Sequence, residues 1–237
     1  MRQVSGISDD HPGVEFIGPV TMYPNVTIGP GSVVYGPCIL GQPPRHKAPG
    51  EVPLVIGANA TIRAFSVIYA GVAIGDRFQS GHSTVIREGN VIGDDCSVGT
   101  HVGLEPRNRI GNRVRIHTSA AMEGATLEDD VFVGPGALLL DDPHAPCPRC
   151  PDCVWGVTVK RAAVIGAGAM VVPGKTVGRR AIVAGGSVAT KDVPDEVVVA
   201  GNPARILKRV DELECWPGLY ARPYEWSEWT KEEEPRG

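Results

Sequence analysis

Residues 56–122 read IGANATIRAFSVIYAGVAIGDRFQSGHSTVIREGNVIGDDCSVGTHVGLEPRNRIGNRVRIHTSAAM. Counting in sixes from Ile56 lands on Ile62, Ile68, Ile74, Ser80, Ile86, Ile92, Val98, Leu104, Ile110, Ile116 and Met122, and only Ser80 is not apolar. The fourth residue after each is usually small or β-branched, as at Ala60, Ser66, Val72, Thr84, Cys96, Val102, Val114 and Ala120. Each hexad is therefore a short extended run with two inward side chains, followed by a corner. Six is not the period of an α-helix, and the recurrent Gly, Asn and Asp corners separate it from the plain period of two of a hairpin meander.

A longer period lies on top. Ile56-Gly57, Ile74-Gly75, Ile92-Gly93 and Ile110-Gly111 recur every 18 residues. Three hexads then make one turn, and equivalent corners stack. The fold this predicts is all-β, a three-sided parallel β-solenoid whose coils rise by about 4.8 Å, the ordinary strand spacing. A column of Ile and Val fills the narrow prism, which suits stiff β-branched side chains.

Working outward, residues 1–19 read as an irregular lead-in. The repeat starts at Val20, is firm at Ile28, Val34 and Leu40, and breaks over 41–53, a Pro-rich polar stretch read as a loop thrown from a corner. Beyond Met122 one residue is missing, so that Met122–Thr126 is a five-residue rung, and Leu127, Val133 and Leu139 carry on. A second excursion spans 141–158, and the repeat returns at Ile165, Val171, Val177 and Val183. The domain reading is a solenoid over 20–205, seven or eight coils and roughly 35 Å long, with a cap and aromatic tail over 206–237. Within the tail, Ile206–Leu213 reads as a short capping helix, and Trp216, Trp226, Trp229, Tyr220 and Tyr224 as cover for the last coil or a neighbouring copy.

The chain has 237 residues, a formal net charge of −4 and scattered basic residues, which argues against a nucleic-acid partner. No apolar run approaches the ~18 residues of a membrane span, and the N-terminus has no signal-peptide pattern, so the expectation is a cytoplasmic protein away from membranes. Of six cysteines, Cys38 and Cys96 sit inside the repeat and read as buried, reduced small residues.

The closing coils carry a resemblance. Ile165–Gly178 (IGAGAMVVPGKTVG), Ala184–Pro194 (AGGSVATKDVP) and Val199–Arg205 (VAGNPAR) resemble the last coils of hexapeptide-repeat, left-handed parallel β-helix acyltransferases that use coenzyme A. The likeness runs from about residue 50 to 207 and implies the left hand, which spacing alone does not give. It also implies a homotrimer with acetyl-CoA lying along the solenoid between subunits. By the same likeness Gly166, Ala167, Ala184 and Gly185 match small corners on the pantetheine path, and Lys191 and Arg205 match basic positions near the nucleotide end. The bland reading of those glycines is corner geometry.

Within that family the chain is most similar to enzymes that acylate the amino group of nucleotide-linked amino sugars. The similarity rests on Phe78–Glu88, Met122–Pro135 and Asp141-Asp142, where the group tends to show Asn-Asp. It implies a small-molecule acceptor of that kind. Transfer from a thioester needs a proton acceptor for the attacking amine or hydroxyl. His144, just before the long loop, matches the place where many such enzymes hold a histidine base, and an imidazole titrates in the right range. Glu123 matches an acidic position that orients the amine or takes its proton, and the amine can also be nucleophile enough without a protein base. Asp141, Asp142, His82 and His117 are the remaining candidates for acceptor binding.

His82, His101 and His117 fall in hexads that share one face of successive coils. A metal-binding, carbonic-anhydrase-like protein or a non-catalytic solenoid stays open as the rival reading, although no His-x4-His pair is present. His144, Cys147, Cys150 and Cys153 are spaced by three, a possible but disfavoured structural zinc set.

Overall fold

The computed structural model describes residues 2–8, 10–144, 149, 152–220 and 222–224. Its described residues form a three-sided, left-handed parallel β-helix. The first face carries strands such as Gln79–Ser80, Ser97–Val98 and Arg115–Ile116. Val85–Ile86, Gly103–Leu104 and Ala121–Met122 lie on the second face, and Val91–Ile92, Arg109–Ile110 and Thr126–Leu127 on the third. Partners in neighbouring coils are 18 apart, as in Ile74↔Ile92 and Val98↔Ile116. Near the corners a residue of positive φ recurs every six positions, among them Asn59, Phe65, Arg77, Ser83, Asp95, His101, Arg107, Arg113 and Ser119.

The aliphatic column is the core. Ile62, Ile68, Ile86 and Leu104 are fully buried, and every position of the sixfold count in 56–122 is at most 4% exposed. Ser80 is buried with them at 1%. Its hydroxyl accepts from the Arg63 backbone N–H at 2.8 Å, which satisfies a polar group that would otherwise be costly in the core. A second polar column lies inside the second corner. Asn108 Nδ2 donates to Asn90 Oδ1, and Asn108 Oδ1 accepts from the Ala125 N–H at 2.8 Å. Ala125 stands where the rung is one residue short, and partner spacing there drops to 17, as in Ile110↔Leu127.

Three sequence expectations need correction. The first face alone stacks ten rungs, from Glu15–Ile17 to Val198–Val199, so the prism is about 43 Å long at ordinary strand spacing. The lead-in is not irregular. β1 (Arg2–Ser8) pairs antiparallel with β2 (His11–Met22), and β2 already supplies the first rung. Nor is Ile206–Leu213 a capping helix. Val197–Gly201 and Ala204–Arg209 form an antiparallel pair, and only Val210–Glu212 makes a single 3₁₀ turn. An edge strand at the end of a solenoid has unpaired backbone groups, and a returning strand satisfies them as a helix could not. Val210, Leu213 and Tyr224 pack outside the first face on Ala162, Ile182 and Val198. Trp216 is almost fully exposed, and Trp226 and Trp229 lie outside the described residues.

Cys38 and Cys96 are buried free thiols, and burial pushes the Cys96 thiol up to about 11. Among the described residues no helix is long and apolar enough to cross a membrane.

Candidate functional site

Every departure from the period falls at one edge of the prism. Both excursions leave after a second-face strand (Cys38–Gln42, Leu138–Leu139) and rejoin at a third-face strand (Leu54–Ile56, Thr158–Val159). The five-residue rung lies between Ala121–Met122 and Thr126–Leu127, at the same corner. A corner can be lengthened or shortened without disturbing the stacked strands, so this edge is where the chain builds special features. Glu123, Asp141, Asp142 and His144 all stand on it.

Charge is dense there. Arg87 bridges Glu88 and Glu105 at 2.9 Å each, and Arg107 lies 3.6 Å from Glu123. Burial, then the Asp141 carboxylate, push the Glu123 carboxyl above its usual range, while Arg107 pulls it back. Asp141 is 8% exposed. His144 is exposed, and its backbone N–H donates to Asp142 Oδ1 at 3.0 Å. Sequence reasoning missed Trp155. Its N–H donates to Asp141 O, its carbonyl accepts from Gly174 N–H, and its indole is 64% exposed. The backbone at the root of the loop is thus pinned on both sides while the ring faces out.

The raised Glu123 pKa predicts a pH-dependent stability. Folding disfavours its ionised form, so stability is full below the ordinary glutamate pKa of about 4.3 and falls as pH rises through the raised value. Glu123→Gln is therefore expected to be at least as stable as the parent at pH 7, with the difference gone by pH 4, as read by urea melts at both pH values.

The first corner is a different kind of edge. His82, His101 and His117 lie along it in successive coils, as the count in sixes implies. His82 and His117 line a groove of about 340 Å³ together with Arg63, Gln79 and Thr100. His117 packs against Phe132 of the next coil in a tilted contact, ring centroids 4.8 Å apart and ring planes at 47°. His101 does not line the groove. It holds the positive-φ corner position (φ 58°) and donates its N–H to His82 O. Among the described residues no three His, Cys, Asp or Glu side chains are grouped to hold a metal ion. Cys147 and Cys150 of the spaced set lie outside the described residues.

Further along the same corner the side chains vanish. Ser83, His101 and Ser119 occupy the positive-φ position in the histidine coils, while Gly136, Gly168 and Gly186 occupy it beyond them. Serine and histidine adopt this φ here, so glycine is not required by the turn. A Cβ built at Gly136, Gly168 or Gly186 would meet nothing within 4 Å. Three coils therefore present bare backbone to the outside. Gly166 is different, because its Cβ would fall 2.5 Å from Gly185 N. That glycine serves coil stacking. Ala167, Ala184 and Gly185 lie on the same edge. Arg205 pairs with Ala200 at its far end, whereas Lys191 follows the last second-face strand and stands on the other edge. Neither basic residue has an ion-pair partner among the described residues.

One chain thus divides the candidates between two edges, with the second face between them. Its outward column is apolar or small throughout: Val67, Val85, Gly103, Ala121, Leu138, Met170 and Val188.

No protein-family model matches the chain. It is 28% identical over 155 residues to YJL218W, an inferred acetyltransferase of Saccharomyces cerevisiae, covering 65% of this chain and 63% of that one. It is 37% identical over 91 residues to the 2,3,4,5-tetrahydropyridine-2,6-dicarboxylate N-acetyltransferase of Staphylococcus aureus, covering 38% and 35%. The matched segment thus spans under two thirds of the first relative and about a third of the second. Among solved structures, a hexapeptide-repeat acetyltransferase of Vibrio cholerae bound to acetyl-CoA is 27% identical, with 51% and 70% of the two chains covered and a TM-score of 0.45. The GDP-perosamine N-acetyltransferase of Caulobacter crescentus is 25% identical, covering 60% and 56%, with a TM-score of 0.37. In its hexads and 18-residue coils the chain is similar to hexapeptide-repeat proteins, and the curated relatives it matches are named acetyltransferases.

Proposed function

We propose that this protein transfers an acetyl group from acetyl-CoA to an amine on a nucleotide-linked amino sugar, in a homotrimer whose clefts lie between subunits. The observation that carries the reading is the order of side chains along the first corner, histidines and then a run of bare backbone. A thin, flexible pantetheine arm needs close approach to a backbone, and glycine at an open corner allows it. The relatives' acetyltransferase names support the same chemistry. The apolar outward column of the second face supports packing against further copies, which would bring the second corner of one subunit toward the first corner of its neighbour.

In this reading acetyl-CoA lies along Gly136, Gly168 and Gly186, with Ala167, Ala184 and Gly185 beside it. Arg205 and a neighbour's Lys191 face its phosphates. The acceptor amine attacks the thioester carbonyl, the C–S bond breaks, and coenzyme A leaves as the thiol. His144 takes the proton of the attacking amine and passes it to the departing sulfur. Glu123 and Asp141 attract and orient the amine, and His82, His117 and Asp142 bind the acceptor. Cytoplasmic residence is part of the proposal, supported by the absence of an apolar run long enough to anchor the chain.

The test is a thiol-release assay with acetyl-CoA and a panel of nucleotide-linked amino sugars, beside a thermal shift with acetyl-CoA. Turnover with one of them is the expected result. No shift with millimolar acetyl-CoA and no thiol release with any acceptor would leave a non-catalytic solenoid.

A further inference from the structure

We infer that Phe65, Tyr35 and Arg63 form a seat for the nucleoside diphosphate portion of the acceptor, at the end of the first corner away from the glycines. The inference rests on the transfer reading and names which part of the acceptor each residue meets.

Phe65 holds the corner position taken by Ser83, His101 and Ser119 in the next three coils, at φ 68°. A bulky residue there is costly, on the order of 1 kcal/mol over glycine. The cost is not offset by burial, because Phe65 is 62% exposed. Tyr35, one coil earlier on the same edge, is 39% exposed. Two aromatic rings thus stand out from adjacent coils where a planar group could lie on them.

Arg63 joins this pair to the groove. It lies two residues before Phe65, lines the groove with His82 and His117, and has no ion-pair partner among the described residues. Arg77, Arg87, Arg107, Arg113, Arg161 and Arg209 all have carboxylate partners. Both ends of Arg63 are fixed on Ser80. Its backbone N–H donates to Ser80 Oγ and its Nη1 to Ser80 O, each at 2.8 Å. The one polar break in the aliphatic column of residues 56–122 therefore holds an arginine in place. A guanidinium has five N–H donors, and one is engaged, so the others can meet phosphate oxygens.

Distance decides the class of acceptor. Phe65 and His117 lie three coils apart, about 14 Å at strand spacing. A free monosaccharide cannot reach both, whereas a sugar joined through a diphosphate to a base can place the base on the rings, the phosphates at Arg63 and the sugar amine among the histidines.

Calorimetry on the full chain tests this with UDP, dTDP, GDP, inorganic pyrophosphate and acetyl-CoA as separate probes. The parent protein is expected to bind at least one nucleoside diphosphate. Phe65→Ser, which takes the residue already present at 83, should fold normally by its melting temperature and weaken that binding at least tenfold. The same variant should leave acetyl-CoA and pyrophosphate affinity within twofold. Arg63→Gln should weaken both nucleotide and pyrophosphate. If the parent binds acetyl-CoA but none of the three nucleotides, or if Phe65→Ser binds them as the parent does, the seat is wrong and the transfer reading stands. Nucleotide binding lost in Phe65→Ser, without any acetyl-CoA binding by the parent, would uphold the seat and overturn the transfer reading.

Discussion

Mixing two inactive variants is expected to restore activity. Gly168→Lys blocks the bare backbone of the first corner, and His144→Ala removes the proton acceptor on the second. Each alone should turn over at least ~100-fold more slowly than the parent. The two edges of one chain are separated by the whole second face, so a cleft built from both needs two subunits. Co-refolded at equal amounts, the proposed trimer would place an intact first corner against an intact second corner in about a quarter of its clefts. Activity near a quarter of the parent's, against at most a hundredth for either variant alone, is the expected result. Recovery no greater than the sum of the two variants would put both edges of each cleft in one chain. Light scattering on the same samples checks that trimers formed.

Much of this arrangement is legible in the sequence, and its limits have physical causes. The core column and the coil length follow from apolar spacing, because each inward position must be filled and each coil must stack on the last. The two excursions and the short rung show as breaks in the count, and their common corner follows from their position modulo 18. The ten-rung length was hidden at both ends. Glu15–Ile17 belongs to a long strand held by an antiparallel partner, and Val198–Val199 belongs to a hairpin, so neither looks like a hexad. The glycines divide by a criterion the pattern alone does not supply. Gly166 and Gly168 are both corner residues, yet the first is boxed in by Gly185 and the second is open. Trp155 gave no periodic signal, since its position is fixed by backbone bonds to Asp141 and Gly174 across the excursion. Ser80 was visible as an exception in the sequence, but only the bond to Arg63 gives that exception a purpose.

Gly168→Asn should separate stability from cofactor use. The backbone at 168 has φ 64°, a conformation asparagine tolerates better than most residues, and a Cβ there meets no other atom within 4 Å. The corner N–H bond from Gly168 to Pro135 O, at 2.8 Å, does not depend on the side chain. The cost to folding is then about 1 kcal/mol or less, a shift of a few degrees in melting temperature. Function is affected differently. An amide side chain standing on the ledge would displace a pantetheine arm from its proposed path, where three successive coils leave the backbone bare. The KM for acetyl-CoA is expected to rise at least tenfold, a loss of about 1.4 kcal/mol of binding, while KM for the acceptor stays within twofold because the proposed acceptor seat is on the histidine and aromatic side of the same edge. Gly168→Ser should fall between parent and asparagine, since it adds less bulk in the same direction. Steady-state kinetics with each substrate varied in turn reads both variants against the parent. An unchanged acetyl-CoA KM in Gly168→Asn, with the fold intact, would mean that the coenzyme does not travel along this corner, and that the glycines at 136, 168 and 186 answer to some other demand.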